Sequence, residues 1–239
     1  MDVLTSMTTL LRNLLQSSLL FLPLFVGAQR ISVDNSPVDF GLGIRSVVSS
    51  DLLSTGTFSA ISEDVTFSYA PRPSLGIDAL IRFKLRGRFS LQTGISSIRR
   101  GYDVTMDDGS VKFEDYIRLT SFQIPITGIL QVPISERAKM GLETGFVLDM
   151  LPTDAASGTD SFQSFIYVSN RFNTALRATA FFSQDLEKGG SVEIGAGYHR
   201  LLGNLGNLYM DFGPIAAAKT YKTPLQGHFF YLGATFFFP

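Results

Sequence analysis

The feature that most narrows what this chain can become is a period-two alternation that recurs along its length. In Leu75–Lys84, one face carries Leu75, Ile77, Ala79, Ile81 and Phe83, and the other carries Gly76, Asp78, Leu80, Arg82 and Lys84. Successive side chains point to opposite faces in a strand, whereas a helix would group them every three or four residues. Met140–Leu148 repeats the pattern, and so does Ser191–His199, where Val192, Ile194, Ala196 and Tyr198 oppose Glu193, Gly195, Gly197 and His199. Segments of this kind are expected near 38–48, 74–84, 88–104, 116–132, 138–149, 173–184, 191–201 and 226–238. Short joins (85–87, 133–137, 185–190) alternate with long ones (49–73, 105–115, 150–172, 202–225). Short turns at one end, long loops at the other and both termini on the turn side describe an all-β, eight-stranded antiparallel up-and-down transmembrane β-barrel.

Alternation alone does not separate a membrane barrel from a soluble sandwich or lipocalin-like barrel, which has the same period with its apolar face turned inward. Three features favour the membrane. The apolar faces are clean, while the opposite faces mix charges with glycines, as a narrow polar lumen requires. That cleanness goes with a charged fraction of 17% over the 239 residues, against roughly 25% in soluble domains. The N-terminus has the form of an export signal. Arg12 precedes the mostly apolar run Leu14–Val26, and Val26-Gly27-Ala28 offers small residues for cleavage after Ala28. This predicts a signal peptide over 1–28, a short periplasmic segment over 29–38 and the barrel over 39–239. Asp2 is out of place in a positive leader, and a start at Met7 would remove it. The unbroken apolar stretch Leu19–Val26 is too short to span a bilayer as a helix, and no later run approaches the roughly 20 residues needed.

The third feature is the final strand. Phe230, Leu232, Ala234, Phe236 and Phe238 share one face, and Tyr231, Gly233, Thr235 and Phe237 the other. Gly233 followed by Phe236 and Phe238 resembles the C-terminal signal read by the barrel assembly machinery, with Pro239 as its one departure. Phe122-Gln123-Ile124-Pro125-Ile126, a short turn, then Gly141-Leu142-Glu143-Thr144-Gly145 resembles the central hairpin of the PorT-like outer-membrane β-barrel family of Bacteroidota. That resemblance implies an eight-stranded barrel and an outer-membrane address from about Asp39 to Phe238. It transfers no catalytic residue, and some members of the family are tied to secretion and gliding machinery. Pro125, inside a strand, removes one ladder hydrogen bond and is expected to mark a bulge or a kink.

Parity assigns Arg45, Asp78, Arg82, Lys84, Gln92, Gln123, Gln131, Glu143, Arg177, Glu193 and His199 to the lumen. An eight-stranded bore is just wide enough for side chains to fill. These charges either pair and plug it, which the width favours, or line a narrow solute path. Gly94, Gly141, Gly145, Gly195 and Gly197 are expected to make room for the long arginines. Glu143 with Glu193 lacks the cleft a catalytic carboxylate pair needs. His199 and His228, with a serine such as Ser161, would have to meet at the outer rim to act on lipid, and no Gly-x-Ser-x-Gly sequence supports that.

A net charge of −1 and the absence of a basic aromatic patch argue against nucleic acid. With no Cys there is no disulfide, thiol chemistry or cysteine metal site, and no cofactor is expected. The acidic tip Asp107-Asp108-Gly109 fits either a Ca²⁺ site or an ordinary turn. Apolar residues of the long joins (Phe58, Ile61, Val65, Phe67, Tyr69, Phe162, Phe165, Ile166, Tyr167, Leu205, Tyr209, Met210 and Phe212) either contact a partner or pack on one another. The expected role is a structural or interaction barrel acting through its loops. The alternatives are a narrow pore and a lipid-modifying enzyme. Expected partners are outer-membrane lipid, the assembly machinery during insertion and a protein at the loops.

Overall fold

The computed structural model describes residues 37–49, 58–62, 65–159, 162–186, 189–212 and 219–238. The expected signal segment, Ser161, Ala216–Ala218 and Pro239 lie outside the described residues. The strands are β1 (Val38–Ser49), β2 (Phe58–Ser62), β3 (Val65–Arg72), β4 (Ser74–Lys84), β5 (Phe89–Asp107), β6 (Lys112–Pro133) and β7 (Ala138–Met150). They continue with β8 (Ala155–Gly158), β9 (Phe162–Val168), β10 (Phe172–Asp185), β11 (Ser191–Leu201), β12 (Gly206–Phe212), β13 (Lys219–Leu225) and β14 (Phe229–Phe238). Eight of these form a closed antiparallel ring in the order β1-β4-β5-β6-β7-β10-β11-β14, and β14 pairs back on β1 from Phe40↔Phe238 to Ser49↔Phe229. They match the eight expected segments to within a few residues, except that β5 and β6 run on into a long hairpin.

The outward face is an apolar belt. Leu42, Ile44, Leu75, Ile77, Ile95, Leu142, Phe146 and Leu232 are each at least 58% exposed, alternating with buried neighbours. Exposing this much large apolar surface is unfavourable in water and favourable against hydrocarbon. On β6 the belt runs from Phe122 to Val132, roughly 33 Å of strand. Tilted as barrel strands are, that gives a band about 25 Å tall.

Beyond the belt, at the loop end, the wall continues. β3 pairs with the far half of β5, and β2 with β3. β8, β9, β12 and β13 form a separate four-stranded sheet. The two sheets meet around a core of Val65, Phe67, Tyr102, Val104, Met106, Ile117, Leu119, Phe162, Ile166, Leu205, Leu208 and Met210. Asp115 of β6 bridges them, accepting hydrogen bonds from Ser157 Oγ at 2.8 Å and Ser164 Oγ at 2.9 Å.

Of the two expectations at Pro125, a bulge or a kink, the bulge is not what the register shows. Around Pro125, pairing with β5 lapses between Thr93↔Ile126 and Ser96↔Gln123 and then resumes in the same register. Pro125 stands opposite Gly94, whose φ is +150°, so the missing N–H is absorbed by skipped ladder bonds rather than an inserted residue. The extra residue is at Pro73. Arg72 faces Gly101 and Gly76 faces Ile98, so Pro73, Ser74 and Leu75 oppose only Arg99 and Arg100. One inserted residue reverses which face points inward. Even-numbered residues face the lumen on β4, and odd-numbered Val65 and Phe67 face the core on β3.

Two outcomes follow. Ile44→Arg, at mid-belt, should cost about 2–4 kcal/mol in urea unfolding from lipid vesicles. Deleting Pro73 should turn Val65 and Phe67 outward, so that limited proteolysis cuts the loop end while unboiled samples keep the gel mobility of a folded barrel. A loop end that stays protease-resistant would contradict the bulge assignment.

Candidate functional site

The lumen is built by parity, because every second residue of each ring strand points into a bore of fixed width. Its charges are matched. Among the described residues, four buried arginines each face a carboxylate from another strand: Arg45 with Asp78, Arg82 with Glu193, Arg100 with Asp149 and Arg177 with Glu143. Isolated charges in such a space would be severely penalised, and pairing with further hydrogen bonds offsets part of that cost.

The pairs form three tiers. Nearest the turn end, Arg82 holds Glu193 in a bidentate grip at 2.5 and 2.7 Å and donates to Gln92 Oε1 at 2.8 and 3.1 Å. Gln131 donates to the same Glu193 at 3.3 Å. The Arg82 guanidinium sits 3.9 Å from the centre of the Phe237 ring, a cation–π contact in a desolvated setting. Lys84 pairs with Asp39 at 3.0 Å at the mouth.

In the middle, Arg45 pairs with Asp78 and donates to Ser96 Oγ at 2.8 Å. Arg45 and Arg177 flank Tyr231 at 5.2 and 5.7 Å, and the Tyr231 hydroxyl shares a 2.5 Å hydrogen bond with Thr179 Oγ1. Arg177 reaches Glu143 at 3.9 Å and donates to Gln123 Oε1 at 3.0 Å.

Gln123 passes the network to the third tier, donating to Asp149 Oδ2 at 2.9 Å. The same oxygen accepts from Arg100 at 2.5 Å and lies 3.4 Å from His199 Nε2. His199 stacks on Phe229 with ring centres 4.3 Å apart. Among the described residues, Arg100 Nε and Nη1, Asp149 Oδ1 and His199 Nδ1 have no protein hydrogen-bond partner, and neither do Arg45 Nε, Arg177 Nε and Glu143 Oε1 of the middle tier, so water would complete the network in both tiers. Directly above the third tier begins the apolar core of the loop end.

Each residue assigned to the lumen from the sequence lies on the inward face. Arg100, Asp149 and Tyr231 belong to the network and were not singled out. Arg100 shares the parity of Gln92, and Asp149 that of Glu143, so the signal was present. The glycines serve a different purpose from the one expected. Gly141 lies against the Phe181 ring and Gly197 against the Tyr231 ring, where a Cβ would collide. The space goes to aromatic side chains, and the arginines stack on those. Gly94 and Gly145 lie against neighbouring backbone instead.

Between Arg45, Asp78, Arg82, Gln92, Glu143 and Arg177 lies a cavity of about 60 Å³, room for a few waters. Glu143 and Glu193 are each engaged by their own arginine and do not form a carboxylate dyad. His199 is 0% exposed, inside the lumen rather than at the rim. His228 Nδ1 accepts from Leu201 N–H at 3.1 Å.

At the acidic tip, Asp108 Oδ1 accepts from Val111 N–H at 2.7 Å, Ser110 N–H at 2.9 Å and Ser110 Oγ at 2.8 Å. Asp107 Oδ1 accepts from Gly109 N–H at 2.8 Å, and Gly109 has a φ of +83°. That is a hydrogen-bonded turn, and its donated backbone N–H groups hold the Asp108 carboxyl below the usual carboxylate range.

Most apolar residues of the long joins pack on one another, as Phe67, Phe162, Ile166, Leu205 and Met210 show. Tyr167 stays exposed. The side chains of Phe58 and Ile61 are outside the described set. Gly233 faces the lumen beside Arg45, while Phe236 and Phe238 lie in the apolar belt.

Removing one half of a buried pair leaves the other charge stranded. Arg82→Ala should therefore cost about 3–5 kcal/mol in vesicle unfolding, and Arg82→Met combined with Glu193→Leu should cost much less. Equal losses would mean that the pair is not electrostatically coupled.

No family model matches the chain, and no curated protein matches it in sequence. Solved structures do resemble it. The outer membrane protein OprG from Pseudomonas aeruginosa is 10% identical, with 85% of this chain and 96% of that one covered at a TM-score of 0.51. Neisserial surface protein A is 12% identical, covering 85% and 97% at 0.45. The outer membrane protease OmpT from Escherichia coli is 8% identical, covering 87% and 97% at 0.39. The chain thus has the fold of the bacterial outer-membrane β-barrels, an all-β closed ring of eight strands.

Proposed function

We propose that this protein is a closed barrel of a bacterial outer membrane, with a lumen that does not conduct and a structural or interaction role carried by its extracellular end. One observation supports this above the others. The bore holds four mutually neutralised ion pairs beneath an apolar core. An ion crossing it would have to break buried pairs and then pass between mostly apolar side chains that replace little of its hydration, and both steps carry large penalties.

The reading assigns no catalysis. A fold alone hosts enzymes and non-enzymes alike, and the buried carboxylates and His199 are committed to lumen contacts. A PorT-like affiliation, with its link to surface or secretion machinery, belongs to the same proposal. So does recognition of Gly233, Phe236 and Phe238 by the assembly machinery.

Planar-bilayer recording tests the closed lumen. The purified protein should insert without steady single-channel steps, and such steps from the wild type would overturn the reading in favour of a narrow pore. Comparing outer-membrane lipids with and without the gene tests the non-enzymatic part. A change in acylation that His199→Ala abolishes would make the protein a lipid-modifying enzyme.

A further inference from the structure

The outward face of β5 and β6, one row above the apolar belt, carries cations that the lumen network does not use. Phe122 ends the belt on β6 and faces Ser97. In the next row Arg99 faces Thr120, and in the row after that Arg118 faces Gly101. Both arginines are exposed. They are diagonal neighbours on one sheet face, with Cα atoms about 7–8 Å apart, so their guanidinium groups can converge on one anion.

The surrounding charges leave these two unspent. Arg72, across Gly101 from Arg118, pairs with Asp103 at 3.4 Å, and Glu114 pairs with Lys112 at 2.5 Å. Among the described residues neither Arg99 nor Arg118 has a carboxylate partner. Gly101 has no side chain to separate the strands here, and the Tyr116 ring lies over it, itself covered by the Arg72 guanidinium at 5.0 Å. This gives a flat, polar, cationic shelf. Leu75, level with Arg99 on β4, and Ile95 and Phe122 in the rows below are exposed apolar side chains.

A bare phosphate would need only the shelf. A ligand with a phosphate head and acyl chains would use the shelf and the apolar row beneath it together. We propose that Arg99 and Arg118 clamp the phosphate of an outer-leaflet phosphoglycolipid, with its acyl chains lying on Leu75, Ile95 and Phe122. Arginine suits this because its planar fork binds phosphate oxygens in bidentate fashion. The assignment rests on the barrel being membrane-embedded with its loop end outward.

The test is native mass spectrometry of the detergent-solubilised full-length protein titrated with diphosphorylated lipid A, its dephosphorylated form and inorganic phosphate. The wild type should bind the diphosphorylated lipid more than about tenfold better than the Arg99→Gln/Arg118→Gln double variant does, given the contribution of each cation near an anionic surface. Arg99→Lys/Arg118→Lys should keep much of the binding, and Arg86→Gln, at a turn of the opposite end, should keep all of it. The dephosphorylated lipid should bind the wild type no better than the diphosphorylated lipid binds the double glutamine variant. Equal binding by that variant and the wild type would overturn the clamp. Displacement of the lipid by millimolar inorganic phosphate would overturn the lipid assignment in favour of a free-phosphate site. Heat-modifiable migration is recorded for every sample. Its loss in the wild type would defeat the membrane-barrel reading itself, whereas intact migration with unchanged lipid binding defeats only the clamp.

Discussion

Everything in this molecule depends on the ladder closing between β1 and β14. In hydrocarbon an unpaired N–H or C=O has no water to turn to, so a sheet can cross a bilayer only if it has no edge. The pairing from Phe40↔Phe238 to Ser49↔Phe229 removes that edge. Closing eight strands also fixes the bore at about the width of opposed side chains. From that point one residue in two is committed to lipid and the other to a space too small for bulk water. The clean outward faces and the crowded inward ones are two results of one geometric condition.

The crowded interior explains its own chemistry. Long side chains of both signs reach across such a bore only if each finds a counterion and the remaining volume is filled. Arginine does both, because its guanidinium binds a carboxylate at its edge while its flat face rests on a ring. Arg82 between Glu193 and Phe237 shows this, and so do Arg45 and Arg177 on either side of Tyr231. The rings in turn need depth, which Gly141 and Gly197 supply by having no side chain. Two like-charged arginines share Tyr231 at tolerable cost because each is held by its own carboxylate from a different strand.

The barrel was legible in the sequence because its determinants are local and periodic. Parity placed Arg45, Asp78, Arg82, Gln123, Glu143, Arg177, Glu193 and His199 in the lumen without any tertiary information. The same parity extends to Arg100, in the interior of β5, and to Asp149, next to the end of β7. Pairing partners were not legible, because a partner such as Glu193 for Arg82 depends on ring order across 111 positions. That the bulge falls at Pro73 and not at Pro125 was not legible for a related reason. Pro125 and Pro73 look equally disruptive alone, and only the register shows that one skips a bond while the other shifts the strand. That shift also hid the extension of the wall. Val65 and Phe67 carry a parity opposite to that of β4, so the segment did not read as one strand with it.

The loop end has a consequence for where recognition can occur. Each strand that rises above the belt still has two faces, and one of them is consumed by the apolar core. Among the described residues, that core occupies the inward faces that would otherwise greet a ligand. Had the core been polar, water could bridge its groups and the inward face would remain a candidate binding surface. With Phe67, Met106, Ile117, Phe162 and Leu208 filling it, opening the mouth means exposing that core to water, and the cost grows with the apolar area exposed. Binding through the mouth must meet that cost, whereas binding to the outward faces does not. The side chains available to a partner are those pointing sideways from the extended wall, such as Arg99, Tyr116, Arg118 and Tyr167. In a barrel built this way, lateral contact at the level where the membrane surface meets the wall leaves the apolar core undisturbed.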